Sequence, residues 1–266
     1  MRIDSRHNAR LREVARLIES SRDRRKAGRC VLEGVHLIDV YCARIGAPET
    51  LVVLDEALAR PDVAAVVERV PSSRTIVVSR RLFGELATLP ADVAALAVVA
   101  TPTPTMPPPG QVCLLLDDVQ DPGNVGSMIR TAAAAGVQQV LLSRRCAFAW
   151  SPKVLRAAQG AHFLAAVIED VDLFAWISAF RATGGRTFAT VVSNGSPLYA
   201  TDVKGRVAFV IGSEGSGLSP ALLAQVDERV AIPMASGSES LNAAAAAAVV
   251  LFEAVRQRFC RAGGGD

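Results

Sequence analysis

Apolar positions recur along the chain in patterns that predict its elements. Leu11, Val14, Leu17 and Ile18 fall at helical spacing with arginines between them, which predicts an amphipathic helix near the start. Short apolar runs follow, CVLEG, ETLVVL and RTIVVS, alternating with helical stretches around 35–45 and 62–68. This is the pattern of a small α/β domain. A second series is plainer: VCLLL (112–116), a helix over 124–135 ending at Gly136, QVLLS, a helix from Pro152, then FLAAVI. A helix over 171–181, RTFATVV, RVAFVIG, a short helix after Ser219, RVAIP and a last helix from Leu241 to about Phe259 complete it. These strands lack period-two alternation, so both faces are buried, which implies a parallel sheet covered by helices.

Composition sharpens the division. Residues 101–110, TPTPTMPPPG, hold five prolines and a glycine and read as an extended linker. The expected units are therefore 1–100, the linker 101–110, and 111–266. Half of the 266 residues are hydrophobic and 21% are charged, which excludes disorder as the overall state. The longest apolar runs, such as 243–252, fall short of the roughly 18 to 20 residues of a membrane span. The opening residues carry no export signal, so the expectation is a cytoplasmic protein without membrane contact. Cys30, Cys42, Cys113, Cys146 and Cys260 form no Cys-x-x-Cys pair and read as reduced core thiols.

The net charge of +3 hides an asymmetry: the first 30 residues carry ten Arg or Lys against four acids. Arginine pairs with phosphate and stacks on bases, so this segment points to nucleic acid, although a merely solvated face fits the charge alone equally well.

In an open parallel sheet, ligands bind at the carboxyl ends of the strands. Three loops stand there: residues 120–126 after VCLLLDDV, residues 212–220 after VAFVIG, and residues 235–242 after RVAIPM. Glycine-rich loops let a ligand approach backbone amides closely. The spacing at 212–217 is not the dinucleotide fingerprint, and a P-loop is absent. His7, His36 and His162 lack the paired spacing of a metal site, and no metal is expected.

Taken in order, LLLDDVQDPGNVGSMIRTAAAAG, FVIGSEGSGLS and IPMASGSESLNAAAAAAVVLFEAVRQR resemble the three motifs of the SpoU/TrmH family of RNA ribose 2′-O-methyltransferases, within the SPOUT superfamily. The likeness spans 111–260, and SPKVLRAAQGAHF is similar to the family's connection with a Gly-Ala pair. The N-terminal part resembles the small α/β RNA-binding domain of many members. The resemblance implies a parallel-sheet domain whose last helix threads a loop as a deep trefoil knot. It also implies S-adenosylmethionine as cofactor, a homodimer, and ribosomal RNA as substrate. Transfer RNA is the runner-up, and a non-catalytic RNA-binding or ribosome-assembly protein is the rival from another class.

By the same resemblance the cofactor is held by Gly212, Ile232 and Leu241, with Ile211, Met234 and Asn242 as neighbours. Asn124 and Arg130 are offered to the RNA, joined by Glu214 and Ser240. After Asn242 the chain has Ala243 to Ala248, where the family often carries a Val-Ser-Val-Ala-like segment, so a possible hydroxyl is missing. Gln159 stands where a small residue is common. A guanidinium keeps its proton in proteins, so Arg130 reads first as a positioner of phosphate and hydroxyl and second as the base. Asn124 has the position of a helix N-cap, Ser240 or Asn242 could cap the last helix, and Glu239 reads as a solvated neighbour. Lys153 and Arg156, one helical turn apart, face either phosphate or water.

Overall fold

In the computed structural model, which describes residues 1–87, 93–103, 106, 108, 110–235 and 240–259, the apolar runs become strands of two separate sheets. The first sheet belongs to a unit formed by Met1–Thr103 together with Trp150–Phe163. Its elements run β1 (Arg2–Ile3), α1 (Ala9–Glu19), α2 (Ser21–Ala27), β2 (Arg29–Glu33), α3 (Val35–Arg44) and β3 (Thr50–Leu54). They continue through α4 (Pro61–Glu68), β4 (Thr75–Val78), α5 (Arg80–Leu86) and β5 (Ala95–Ala100). The strand order is β1-β4-β3-β5-β2, with β5 antiparallel to both of its neighbours.

The helix expected from Leu11, Val14, Leu17 and Ile18 is α1, and those four side chains are its buried face. Four elements here were not expected, β1, α2, α5 and β5, and for two of them the physical reason is plain. Strand β5 comes from the alanine-rich ALAVVA, whose alanines favour helix, yet it is buried between β3 and β2, where tertiary pairing overrides propensity. Helix α2, SRDRRKA, has no apolar period and is delimited by its ends: the Ser20 hydroxyl accepts from the Asp23 amide, and Gly28 closes it at φ 60°.

The second unit comprises Pro104–Ala149 and Leu164–Asp266. It opens with β6 (Val112–Leu116), α6 (Pro122–Ala134) and β7 (Gln139–Leu142). The chain then forms α7 (Pro152–Ala158), a member of the first unit, and returns as β8 (Ala166–Ile168), α8 (Leu173–Ala182), β9 (Arg186–Val191) and β10 (Ser196–Pro197). It ends through β11 (Val207–Ile211), α9 (Pro220–Gln225), β12 (Glu228–Ala231) and α10 (Ala243–Phe259). The order is β10-β12-β9-β11-β6-β7-β8 and every pair is parallel, as the unbroken apolar runs predict.

One face of this sheet buries Cys113, Leu115, Ala189, Ala208 and Val210 against Trp176, Ile177 and Phe180 of α8 and Leu222 of α9. Helix α10 packs on α6 and β11. Its far end is tied by buried Gln257, which accepts from the Val203 amide at 3.0 Å and donates to the Thr201 carbonyl at 2.9 Å. The Arg256 guanidinium holds the neighbouring Glu253 carboxyl below the usual carboxylate range, against the opposing effect of burial.

Of the segment between β7 and β8, Trp150–Phe163 belongs to the first unit. There the Phe163 ring meets Tyr41 edge-on at 5.3 Å, and buried His162 lies 4.9 Å from the Trp150 ring. Gln159 closes α7 in a left-handed conformation at φ 51°, its side-chain amide donating to the Arg156 carbonyl. Lys153 is exposed and Arg156 is half-buried.

Burial pushes the Cys30 thiol up to about 12 and the Cys113 thiol up to about 11, as befits core thiols. Cys42 and Cys146 are free and half-buried, and Cys260 lies outside the described residues. Among the described residues no helix is long and apolar enough to cross a membrane, and no cluster of His, Cys, Asp and Glu could hold a metal.

Candidate functional site

The carboxyl ends of β6, β11 and β12 bring the three singled-out loops together. After β6 the side chain of Asp121 accepts from the Asn124 amide at 2.7 Å, so Asp121 and not Asn124 caps α6. The reason lies in Pro122, which takes the first helical position and shifts the start two residues earlier than expected. Asn124, in the first turn, is thereby freed for a tertiary role.

Its side-chain amide donates to the Glu214 carboxylate of the loop after β11. Its carbonyl oxygen accepts from the Asn242 amide at 3.0 Å. Asn242 in turn accepts from the Ala244 and Ala245 backbone amides at 2.9 and 3.2 Å, which makes it the cap of α10. The direction of this chain is forced. A carboxylate only accepts, so the nitrogen of Asn124 faces Glu214, its oxygen faces Asn242, and the oxygen of Asn242 is left for the helix. One line of side-chain hydrogen bonds thus joins all three loops.

The glycine loop is folded on itself. Its Ser213 carbonyl accepts from the Gly217 amide at 3.0 Å, the Ser213 and Ser216 hydroxyls lie 2.8 Å apart, and Gly217 has φ +64°. A Cβ on Gly212 would lie 2.6 Å from the Leu218 nitrogen. Position 212 therefore needs glycine so that the loop can close.

Beside this loop is a cavity of about 480 Å³. Of the expected cofactor residues, Ile211, Gly212, Ile232, Met234 and Leu241 line it, as do Glu214 and Ser240. Asn242 does not; its side chain is spent on Asn124 and the start of α10. Asn124 reaches the cavity only through Glu214. Arg130 is exposed on α6, away from the cavity of its own chain, with no hydrogen bond or ion pair among the described residues. Glu239 lies outside the described residues. The charged side chains lining the cavity, among the described residues, are Glu214 and Arg229.

Sequence reasoning missed one wall, residues 190–194 at the end of β9 and just beyond it. No motif marks it. The signal available was its place at the carboxyl end of a parallel strand and a polar Ser193-Asn194 pair, of which Asn194 adopts φ 59°.

Comparison with known proteins identifies the family. Residues 111–252 match the model of the SpoU rRNA Methylase family. The chain is 31% identical over 250 residues to the 23S rRNA (guanosine(2553)-2′-O)-methyltransferase RlmP of Bacillus subtilis, covering 94% of this chain and 97% of that one. It is similar to the crystal structure of the SpoU methyltransferase AviRb from Streptomyces viridochromogenes in complex with AdoMet. That likeness has TM-score 0.84 at 28% identity and covers 95% of this chain and 100% of AviRb. An AdoMet-bound rRNA methyltransferase from Sinorhizobium meliloti matches with TM-score 0.83 at 25% identity, covering 96% of this chain and 97% of that one.

Proposed function

The chain belongs to the SpoU rRNA Methylase family, and from that membership and the cavity at the three loops we propose that it methylates a ribose 2′-hydroxyl of ribosomal RNA with S-adenosylmethionine. The observation that carries the reading is the hydrogen-bonded line Asn242, Asn124, Glu214 beside a cavity lined by a glycine loop. At about 480 Å³ the cavity falls within the range of roughly 300–1,000 Å³ typical of small-ligand pockets. Its lining fits the cofactor's chemistry: apolar and polar surface in nearly equal share for a nucleoside and its hydroxyls, the backbone of the glycine loop, and, among the described residues, Arg229 as the one lining cation, where a polyphosphate would need a cluster. Gly212, Ile211, Ile232, Met234 and Leu241 would hold it.

Bound there, S-adenosylmethionine supplies a methyl group on a sulfonium. The chain's residues then have to present a hydroxyl in line with it, which is a positioning task. Glu214 spends one carboxylate oxygen on Asn124 and keeps the other for a ligand hydroxyl, and Ser240 lies on the same cavity wall. Arg130, exposed and without an ion-pair partner among the described residues, holds the adjoining phosphate.

The rest of the reading follows the family. The last helix passes through a trefoil knot, residues 1–100 form the RNA-binding domain, the enzyme works in the cytoplasm, and two chains form a homodimer. The cations Arg6, Arg12, Arg16, Arg22 and Lys26, exposed and unpaired among the described residues, support RNA contact by the first domain.

The test is purified protein with labelled S-adenosylmethionine and ribosomal or transfer RNA from cells lacking the gene, followed by mapping of 2′-O-methyl groups. A single labelled ribose in ribosomal RNA is the expected outcome, with guanosines of 23S rRNA first to be scanned because RlmP is named for one. Label only in transfer RNA overturns the substrate, and saturable cofactor binding without transfer to any RNA overturns the enzyme.

A further inference from the structure

Strand β9 carries two threonines with different surroundings. The Thr187 hydroxyl donates to the Asp227 carboxylate at 2.7 Å and accepts from the Asp227 amide at 3.0 Å. The Thr190 hydroxyl, three residues on, is closed off from solvent and has no hydrogen-bond partner among the described residues. Buried polar groups in folded chains are paired, and an exception calls for a physical reason.

Its place in the strand supplies one. Thr190 pairs across to Val230 of β12 at the carboxyl end of the sheet, where the cavity lies. Side chains alternate along β9, so Thr190 shares a face with Phe188, opposite Ala189, which belongs to the core under α8. On this side the neighbouring cavity walls come from Ile211 and from Ala243 and Ala246 of α10. These offer only methyl and methylene groups. The alanine-rich opening of α10 thus adds only methyl groups to the cavity that Thr190 also lines.

A valine at this position would have the same shape, suit a strand as well and leave no orphaned hydroxyl. Threonine in its place is accounted for when a bound ligand completes it. One rotamer step about χ1 exchanges hydroxyl and methyl at the cavity wall, and the hydroxyl can donate or accept. The polar side chains lining the cavity are Glu214, Ser213 and Ser216 of the glycine loop, Ser240 before α10, Ser193 and Asn194 beyond the end of β9, and Arg229 of β12, whereas Val191, Ile211, Ala243 and Ala246, which line it with Thr190, are apolar. A flat ring with a polar edge fits such a wall.

From this we infer that Thr190 is a positioning residue for the cofactor, its hydroxyl hydrogen-bonding the nucleoside part. The inference rests on the assignment of the cavity to S-adenosylmethionine. Three proteins test it: the wild type, Thr190→Val and Thr190→Ser. Calorimetry is run with S-adenosylhomocysteine and with 5′-methylthioadenosine, which lacks the amino-acid end, and thermal unfolding is followed without ligand. Thr190→Val should bind both ligands about three- to tenfold more weakly, the worth of one hydrogen bond. Its ligand-free melting temperature should equal or exceed that of the wild type, because the orphaned hydroxyl is gone. Thr190→Ser should restore the affinity. A residue that only shaped the strand would give unchanged affinity in Thr190→Val, which overturns the inference. Loss confined to S-adenosylhomocysteine overturns the nucleoside assignment. A wild type that binds neither ligand instead overturns the methyltransferase reading on which this one stands.

Discussion

Gly212 and Gly215 lie three positions apart in one loop and are under different constraints. A methyl on Gly212 meets the backbone of Leu218 at 2.6 Å, whereas one on Gly215 meets nothing within 4 Å. Backbone cannot step aside as a flexible side chain can, so Gly212→Ala has to open the loop, at an overpacking cost of about 1–3 kcal/mol. Gly215→Ala should stay within about 0.5 kcal/mol of the wild type. Urea unfolding checks both, and calorimetry with S-adenosylhomocysteine should show weakened binding for Gly212→Ala. Equal stability of the two variants would contradict the loop geometry. The motif residues themselves were legible in the sequence, since glycine, asparagine and glutamate at strand ends carry chemistry. Their arrangement was not: that Asn124 is released from capping by Asp121, and that Asn242 serves Asn124 instead of the cavity, depends on side-chain directions that spacing does not hold. Thr190 was invisible because a threonine in a strand is also ordinary strand composition.

Charge along a helix has a similar ambiguity, which becomes clear when α1 and α2 are compared. The sequence counts ten cations in 30 residues as one class. Arg24, however, is buried, and its guanidinium donates to the Leu17 and Ile18 carbonyls at 2.6 and 2.8 Å, closing the end of α1. Arg2 pairs with Asp55, and Arg29 pairs with Glu13 and Glu49. Arg12 and Arg16 on α1, and Arg22 and Lys26 on α2, remain exposed and unpaired among the described residues. Two outcomes separate the classes. Arg24→Ala should destabilise the protein by about 1.5–3 kcal/mol, because charged hydrogen bonds to buried carbonyls are lost. Replacing the four exposed cations by serine should leave stability nearly unchanged and flatten the dependence of log affinity for RNA on log salt by about 0.7 for each phosphate contact removed. An unchanged slope would take this surface out of the RNA interface. Substitution is the right tool, because deleting residues 1–30 also removes Leu11, Val14, Leu17 and Ile18 from the core. Among the elements, α1 was readable from its apolar period. Helix α2 and strand β5 were not, one being held by its ends and the other by pairing with distant strands.

At the scale of the whole molecule, the position of Arg130 and the surface of α10 bear on the same question. In a single chain Arg130 does not line the cavity that would hold the cofactor. Helix α10 buries Ala247, Val250, Leu251 and Ala254, yet Phe252 is 48% exposed and Phe259 is 74% exposed, one heptad apart on its outer side. Large apolar side chains in register on an outer face are what a second copy covers in a twofold dimer. If a homodimer forms, an Arg130 absent from its own cavity can serve that of the partner. Arg130→Ala should then lower the methylation rate by a factor of at least about 10² while leaving S-adenosylhomocysteine affinity intact, as expected for a group that orients the reacting ribose. Gly212→Val should bind no cofactor while keeping Arg130. Mixing the two variants, with Arg130→Ala in excess, decides the arrangement. A mixed dimer in which Arg130 acts across the interface pairs the intact cavity of one chain with the intact Arg130 of the other, so activity returns at one of its two sites. If Arg130 serves its own chain, neither chain is complete and the mixture stays silent. Sedimentation of the mixture must show that mixed dimers form, and dimers that form yet remain inactive, or a chain that stays monomeric, would overturn the shared site.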